Sequence, residues 1–342
     1  EAFLGNVVSA GMGQAPARQA VLFAGLPESI PCTTVNKVCA SGMKTVMMAA
    51  QSIMLGQQDV VLAGGFESMS NIPYYVPKAR SGYRYGHGEL LDGVLKDGLW
   101  DVYNDVHMGN AGEDCATKHS FSREQQDDFA IASYERAAAA HEAGHFKSEM
   151  VGVDIKGRKG VTTVDMDEEY TKVSFDKVRS LRPAFDRNGT ITAANASSLN
   201  DGASALVLTS LAKARELGLK PLAKVSGFAD AARAPIEFTI APADATPKAL
   251  QMAGVSVEDV DYFEINEAFS VVVLANMKLM KIPHEKVNVL GGAVALGHPI
   301  GCSGARIVTT LTHLLQNNGK NIGCASICNG GGGASAIVIE RM

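Results

Sequence analysis

Ser41-Gly-Met-Lys-Thr-Val-Met-Met-Ala-Ala50 reads as a helix buried on every side, and it decides the fold because the chain carries its pattern twice. From Ser41 to Leu55 a single charge, Lys44, stands near the start. Val46, Met47, Met48, Ala49, Ala50, Ile53 and Met54 cover all faces at helical spacing. About fourteen residues are too few to cross a bilayer, so the stretch predicts a helix buried in protein. Ser303-Gly-Ala-Arg-Ile-Val-Thr-Thr-Leu-Thr312 repeats the pattern. Each copy leads, about twenty residues on, to an apolar strand ending in glycines: Leu62-Ala-Gly-Gly65 and Ile327-Cys-Asn-Gly-Gly331. The two halves predict an internal duplication.

Working outward, Asp59-Val-Val-Leu-Ala-Gly-Gly65 suits a strand buried on both faces of a parallel sheet. Val260-Asp-Tyr-Phe-Glu-Ile265 and Lys286-Val-Asn-Val-Leu290 predict further strands, and strands alternating with helices predict α/β layers. Between Ser70 and Thr192 charge, tyrosine and glycine rise, which predicts an inserted loop domain that forms lids or a tetramer surface. Within it Ser122-Arg-Glu-Gln125 is a capping-box signal for an amphipathic helix to about Ala143. The expected organisation is an N-terminal half (1–69 with 193–218), an inserted domain (70–192) and a C-terminal half (219–342). Glu1 to Val8 reads as a strand already inside a domain, so a fragment, a processed form or an unusual isoform is expected.

A chain of 342 residues fits two domains, and 46% apolar against 20% charged residues is a globular balance. Lys plus Arg number 31 and Asp plus Glu 36. The net charge of −5 rules out nucleic acid as the default partner, because backbone binding needs a basic face. No apolar run reaches the roughly 18 residues of a membrane span. Six cysteines with no zinc spacing predict reduced thiols rather than a disulfide framework.

Four segments carry chemistry. Asn36-Lys-Val-Cys39-Ala-Ser-Gly-Met-Lys44 places a cysteine at a helix N-terminus, where unpaired N–H groups favour thiolate and can hold an oxyanion. The plainer reading is a small buried hydrophobe. Gly291-Gly-Ala-Val-Ala-Leu-Gly297-His298-Pro-Ile-Gly301-Cys-Ser-Gly304 surrounds one histidine with glycines. His298 is then a base for a cysteine, a donor to an oxyanion, or merely a cap. Ser326-Ile-Cys328-Asn-Gly-Gly-Gly-Gly333 sets a second thiol at a strand end. A phosphate loop would need Lys-Ser or Lys-Thr after the glycines, and Ala334-Ser335 follows instead. Asn266-Glu-Ala-Phe-Ser270 follows a strand at a strand-to-helix junction. There Asn266 either caps the helix or holds a water in the site.

Together these segments, in this order, resemble the four signature segments of the thiolase family, and the resemblance runs along the whole chain. It is nearest to the mitochondrial acetoacetyl-CoA group. The resemblance implies a thiolase-like α/β fold and acyl transfer between CoA thioesters, with acetyl-CoA, acetoacetyl-CoA and CoA as substrates. It implies Cys39 as nucleophile, His298 as its activator and Cys328 as the base that removes an α-proton. Asn266 then holds a water in one oxyanion hole, and the N–H groups of Cys39 and Gly330 form the other. Met108, in His107-Met108-Gly109, lines the acyl site.

The resemblance also places CoA beneath the inserted region. Tyr170-Thr-Lys172-Val-Ser174-Phe-Asp-Lys177 matches the stretch meeting the nucleotide, so Tyr134, Lys172, Val173, Ser174 and Lys177 are expected contacts, with Ser197 beside the pantetheine. No prosthetic group is implied. A potassium ion is, held by Tyr134 and the backbones of Ala193, Ala194, Ala196 and Val294. A homo-oligomer, dimer or tetramer, and the mitochondrial matrix come with the same group, the cytoplasm being the alternative. The member of that group that cleaves the 2-methyl substrate carries Phe-Pro where this chain has Phe238-Thr239, a departure bearing on branched substrates and on the potassium effect. Two other readings stand beside acetyl transfer: a longer-chain 3-ketoacyl-CoA thiolase, and a non-catalytic thiolase-like subunit lacking a first strand and helix.

Overall fold

The computed structural model describes residues 1–158 and 160–342. Its first sheet takes β1 (Ala2–Gly5), β2 (Cys32–Val35), β3 (Val60–Ser68) and β4 (Asp201–Thr209). Strand β1 lies between β2 and β3, parallel to both, and β4 closes antiparallel on β3. The second sheet takes β5 (Ala223–Ala232), β6 (Tyr262–Ile265), β7 (Ile322–Asn329) and β8 (Gly333–Arg341). There β7 pairs parallel with β6 and antiparallel with β8, and β8 pairs antiparallel with β5. On an outer face of the first sheet, α1 (Pro16–Phe23) sets Ala17 and Val21 against Ala2 and Leu4.

The two copies of the repeated helix, α2 (Ser41–Met54) and, far along the chain, Ser303–Asn318, lie between the sheets. Met43, Val46 and Met47 of one and Ile307, Leu311 and Leu315 of the other share a core with Val61 and Ala63 of β3, Ile327 of β7 and Ile337 of β8. Burying apolar residues on all sides is what this position requires. The glycine after each leading serine has a reason too. A Cβ on Gly42 would stand 2.7 Å from the Ala305 nitrogen, and one on Gly304 would stand 2.4 Å from the Met43 nitrogen. The two helices therefore touch backbone to backbone at their N-terminal ends.

The intervening region, 70–192, holds two-residue ladders, Tyr74–Tyr75 with Leu91–Asp92 and Trp100–Asp101 with Val106–His107. Its two long helices are α3 (Met108–His119) and α4 (Arg123–Glu142). The Ser122 capping box forms as expected. The buried face of α4 is mixed rather than apolar: Gln126, Asp127 and Ser133 are buried beside Phe129, Ala130 and Tyr134. Each of the three polar side chains makes a hydrogen bond. Gln126 donates to Thr190, Asp127 accepts from Asn195, and Ser133 donates to Glu267. A hairpin, Val153–Gly157 with Gly160–Val164, is exposed at every described residue and carries Val153, Ile155, Val161 and Val164 outward. No helix of the described residues is long and apolar enough to cross a membrane.

Beyond β5, α5 (Pro242–Ala253) covers the outer face of the second sheet with Ala245, Ala249 and Leu250. Next, α6 (Ser270–Met280) packs against α3 and α4, and α7 is the second repeat helix, Ser303–Asn318. One expected strand is absent. Over 286–290 only Val287 bridges to Phe263. Asn288 breaks the extended run with a left-handed backbone, φ 47°. Its side chain replaces the ladder, accepting from the Ile265 N–H and donating to the Ile265 carbonyl, both at 2.8 Å.

Candidate active site

Cys39 stands two residues before α2, in a loop held almost entirely by its own polar groups. Asn36 donates to the Val7 carbonyl and accepts from the Val38 N–H. Ser41 accepts from the Lys37 N–H and donates to the Val38 carbonyl. These bonds hold Val38 at φ 48°, a conformation a β-branched residue rarely adopts. Such strain persists where the surroundings over-determine it, and here it sets the direction of the next side chain, Cys39.

His298 stands five residues before α7, in the turn after Gly297. Its ring is buried, with Nδ1 2.6 Å from the Ser303 Oγ and Nε2 3.5 Å from the Asn266 amide nitrogen. Asn266 follows β6 directly and is buried. It does not cap α6, which begins at Ser270 with Phe269 in the cap position. Instead its Nδ2 faces the histidine, and its Oδ1 has no partner among the described residues. A buried amide oxygen left free is a place for a water or a ligand donor.

Cys328 is the penultimate residue of β7 and is fully buried. The four glycines after Asn329 make a hairpin turn into β8, not a strand-to-helix loop. Gly331 and Gly332 take φ 83° and 89° there, and a Cβ on Gly332 would meet the Arg233 carbonyl at 2.3 Å. The turn delivers the Gly330 N–H to the Cys39 sulfur and sets Gly330 beside Met108 and Val38. Cys39, His298, Asn266, Cys328 and Gly330, drawn from both halves of the chain, thus come together.

The first and second halves are pinned at this point by a buried carboxylate. Glu67, near the end of β3, accepts from the Val7 and Val8 N–H groups at 2.9 and 3.1 Å, from the Asn6 amide, and from the Gly301 N–H. It joins the loop after β1 to the histidine turn.

Cys39 and His298 open into a cavity of about 260 Å³ walled mainly by apolar groups, among them Leu99, Met108, Phe185, Phe238 and Ile300. Ser197 also reaches it, donating to the Ala268 carbonyl. His107 caps α3 by accepting from the Gly109 N–H and stacks on Phe185 at 4.6 Å. These apolar walls reverse one expectation. Burial pushes the Cys39 thiol up to about 11, although the N–H groups of Gly330 and of Cys39 itself pull the other way. Desolvation of a thiolate outweighs the partial charges of a helix end. Cys328 is raised well above the usual thiol range, again by burial, with Cys39 beside it. Burial, and then the Arg306 charge, push His298 down to about 4. The resting site is therefore two thiols and a neutral imidazole, poised to exchange protons once a substrate arrives. All six cysteines are free.

The expected CoA contacts divide. Met108 and Ser197 line the cavity. Lys172, Ser174 and Lys177 are exposed and lie outside its walls, and Val173 packs with Tyr134 and Val294. Lys172 already pairs with Glu168 and Glu169, at 3.3 and 2.9 Å. Tyr134 is buried against Ala130 and Val294, away from the cavity walls. The expected potassium positions are oxygen donors. Ala194, Ala196 and Val294 are buried, Ala193 is exposed, and the carbonyls of Ala193, Ala194 and Val294 accept no hydrogen bond from the described residues. Carbonyl oxygens and a phenol are hard neutral donors, Val294 packs against Tyr134, and Glu169 and Glu267 add negative charge near Tyr134. The donor types suit a monovalent cation.

Sequence reasoning missed Ser303, Glu67, Phe185 and Ile300 as parts of the site. A signal existed for Ile300 and Ser303, which sit two and five residues past the histidine within the same glycine-rich segment.

The comparisons with known proteins agree with this geometry. The model for the thiolase N-terminal domain matches residues 1–212, and that for the thiolase C-terminal domain matches residues 219–341. The chain is 60% identical over 345 residues to "Acetyl-CoA acetyltransferase 2" of Arabidopsis thaliana, covering 100% of this chain and 86% of that one. It is 59% identical to "Acetyl-CoA acetyltransferase IB" of Candida tropicalis over the same share of each. The crystal structure of the Acat5 thiolase from Ascaris suum in complex with coenzyme A superposes with a TM-score of 0.94 at 46% identity, covering 99% of this chain and 87% of that one. The chain belongs to the thiolase family.

Proposed function

We propose that the protein is an acetyl-CoA C-acetyltransferase, which joins two acetyl-CoA into acetoacetyl-CoA and CoA and runs the reverse thiolysis. The observation that carries it is that Cys39 and His298 line one apolar cavity, with Asn266 against the histidine ring and Cys328 beside Cys39. Identity of 57–60% along the full chain to acetyl-CoA acetyltransferases supports the acetyl substrate over a longer acyl chain.

The steps balance on the chain's own groups. His298 Nε2 takes the Cys39 proton, and the sulfur forms a bond to the acetyl carbonyl carbon. The N–H groups of Cys39 and Gly330 hold the oxyanion, and the thioester C–S bond breaks. Cys328 gives its proton to the departing CoA sulfur and becomes a thiolate. A thiolate whose thiol is hard to ionise is a strong base, which removing an α-proton from a second acetyl-CoA requires. Asn266 and the protonated His298 stabilise the resulting enolate oxygen. Its carbon attacks the acetyl group on Cys39, and the Cys39 thiolate leaves and recovers its proton from His298.

Ser197 and Met108 meet the acyl and pantetheine end, and Lys172, Val173, Ser174 and Lys177 meet the nucleotide. Tyr134 and the carbonyls of Ala193, Ala194, Ala196 and Val294 would hold a potassium ion, whose positive charge would tie the Ser197 loop to the histidine turn. A homo-oligomer is supported by the exposed apolar residues Val153, Ile155, Val161 and Val164 of the hairpin, which a second subunit would cover. Assignment to the mitochondrial branch, and to the matrix, is supported by the motif resemblance.

Mixing the protein with acetyl-CoA alone, quenching with acid and digesting tests the first half-reaction. An acetyl group is expected on the Cys39 peptide and on no other cysteine. A peptide free of acetyl, or acetyl on Cys328, would overturn the assignment of nucleophile.

A further inference from the structure

An imidazole has two nitrogens, and the reaction above uses one. This inference rests on that reading of His298 and concerns the other nitrogen. Neutral His298 acts as a base toward Cys39 only if Nε2 carries the lone pair and Nδ1 the proton. Two contacts bear on which tautomer stands. The Asn266 amide nitrogen lies 3.5 Å from Nε2. An amide nitrogen only donates, so the ring nitrogen facing it is an acceptor. At the opposite edge Nδ1 lies 2.6 Å from the Ser303 Oγ, and that hydroxyl stands 3.0 Å from the Pro299 carbonyl. A serine has one proton and two lone pairs. Spent on Pro299, the proton leaves Oγ as an acceptor for Nδ1–H.

We infer that Ser303 is the positioning residue that sets the tautomer of His298, accepting Nδ1–H and donating onward to the Pro299 carbonyl, so that Nε2 faces Cys39 unprotonated. Its own place is fixed by the fold. Ser303 is the first residue of α7, is buried, and has its N–H bonded to that same Pro299 carbonyl at 3.0 Å. The serine that begins the repeated helix therefore has different partners in the two halves. Ser41 braces the nucleophile loop, and Ser303 orients the base. After Cys39 gives up its proton, the imidazolium still has a hydrogen-bond acceptor at Nδ1, so the charge is solvated by the protein.

The test labels histidine with ¹⁵N in the full chain and reads the His298 nitrogens, assigned with His298→Gln. The wild-type spectrum at pH 6–8 is expected to show a protonated Nδ1 and a bare Nε2. Ser303→Ala is expected to mix the tautomers and lower kcat about 10–100-fold, the scale of general base catalysis partly lost, while KM moves less than about threefold. Ser303→Thr is expected to restore most of kcat and the wild-type spectrum. A wild-type Nε2–H, or a Ser303→Ala protein with wild-type kcat, overturns the inference. Should Ser303→Ala fail to fold, the wild-type spectrum and Ser303→Thr decide. The spectrum needs no turnover, so a failure of the proposed reaction is separable from a failure of the tautomer assignment.

Discussion

Replacing Gly304 by alanine tests the link from the repeated sequence to the chemistry. Its Cβ would stand 2.4 Å from the Met43 nitrogen and 2.9 Å from the Met43 Cβ, whereas ordinary contact begins at 3.4 Å. The shortfall is about 1 Å, and the obstacle is backbone, so no rotamer change relieves it. Overpacking of this kind costs about 1–3 kcal/mol, here near the upper end. Alanine's better helix propensity returns about 1 kcal/mol. A net loss of about 2 kcal/mol lowers Tm by roughly 4–8 °C in a domain of this scale. The kinetic effect is larger. Separating α2 from α7 carries the Cys39 loop away from the His298 turn, and a misplacement of about 1 Å costs about 100-fold in rate. The assay is thermal melting beside acetoacetyl-CoA cleavage, with Gly319→Ala as the contrast. Gly319 ends α7 with φ 62° and nothing within 4 Å of a Cβ, so that variant loses about 1 kcal/mol to backbone strain and keeps its kcat. Wild-type Tm and kcat in Gly304→Ala, or equal kcat losses in both variants, would refute the reasoning.

Two further predictions come from the site and its support. With the Cys39 thiol raised to about 11, the thiolate fraction grows with pH, so alkylation of Cys39 by iodoacetamide is expected to rise about tenfold per unit from pH 6 to 9. A flat rate across that window would reveal a standing thiolate–imidazolium pair and contradict the neutral resting site. Asn288→Ala leaves the Ile265 N–H and carbonyl and a Glu267 oxygen without their partner in the core. At about 1–3 kcal/mol per orphaned group, chemical denaturation is expected to show a loss of several kcal/mol, and a loss under about 1 kcal/mol would refute the ladder role.

The duplication was legible because burial on all sides leaves a pattern within ten residues, as in Ser41 to Ala50 and Ser303 to Thr312. Cys39, His298, Asn266 and Cys328 were legible for a similar reason, each standing at an element's end beside glycine or another turn signal. Asn288 misled because apolar neighbours describe a strand while its own φ and side chain end one. The Cys39 pKa misled because the helix end is local and readable, whereas the apolar wall comes from Leu99, Phe185, Phe238 and Ile300, far apart in sequence. Glu67 was silent for the same cause, since its partners at Val7, Val8 and Gly301 are set by the tertiary fold. Lys172 was read as a contact for the nucleotide, and the fold pairs it with two carboxylates.

The central claim is that two thiols and one imidazole, brought from both halves of the chain, cleave and make a carbon–carbon bond between acetyl units. The most direct measurement is CoA-dependent cleavage of acetoacetyl-CoA by this chain, by Cys39→Ala and by Cys328→Ala, followed as loss of the 3-ketoacyl thioester. Turnover by the unaltered chain and its loss in both variants are expected, with Cys328→Ala still taking up an acetyl group on Cys39. A folded chain without turnover, or thiolysis that survives Cys39→Ala, would contradict it.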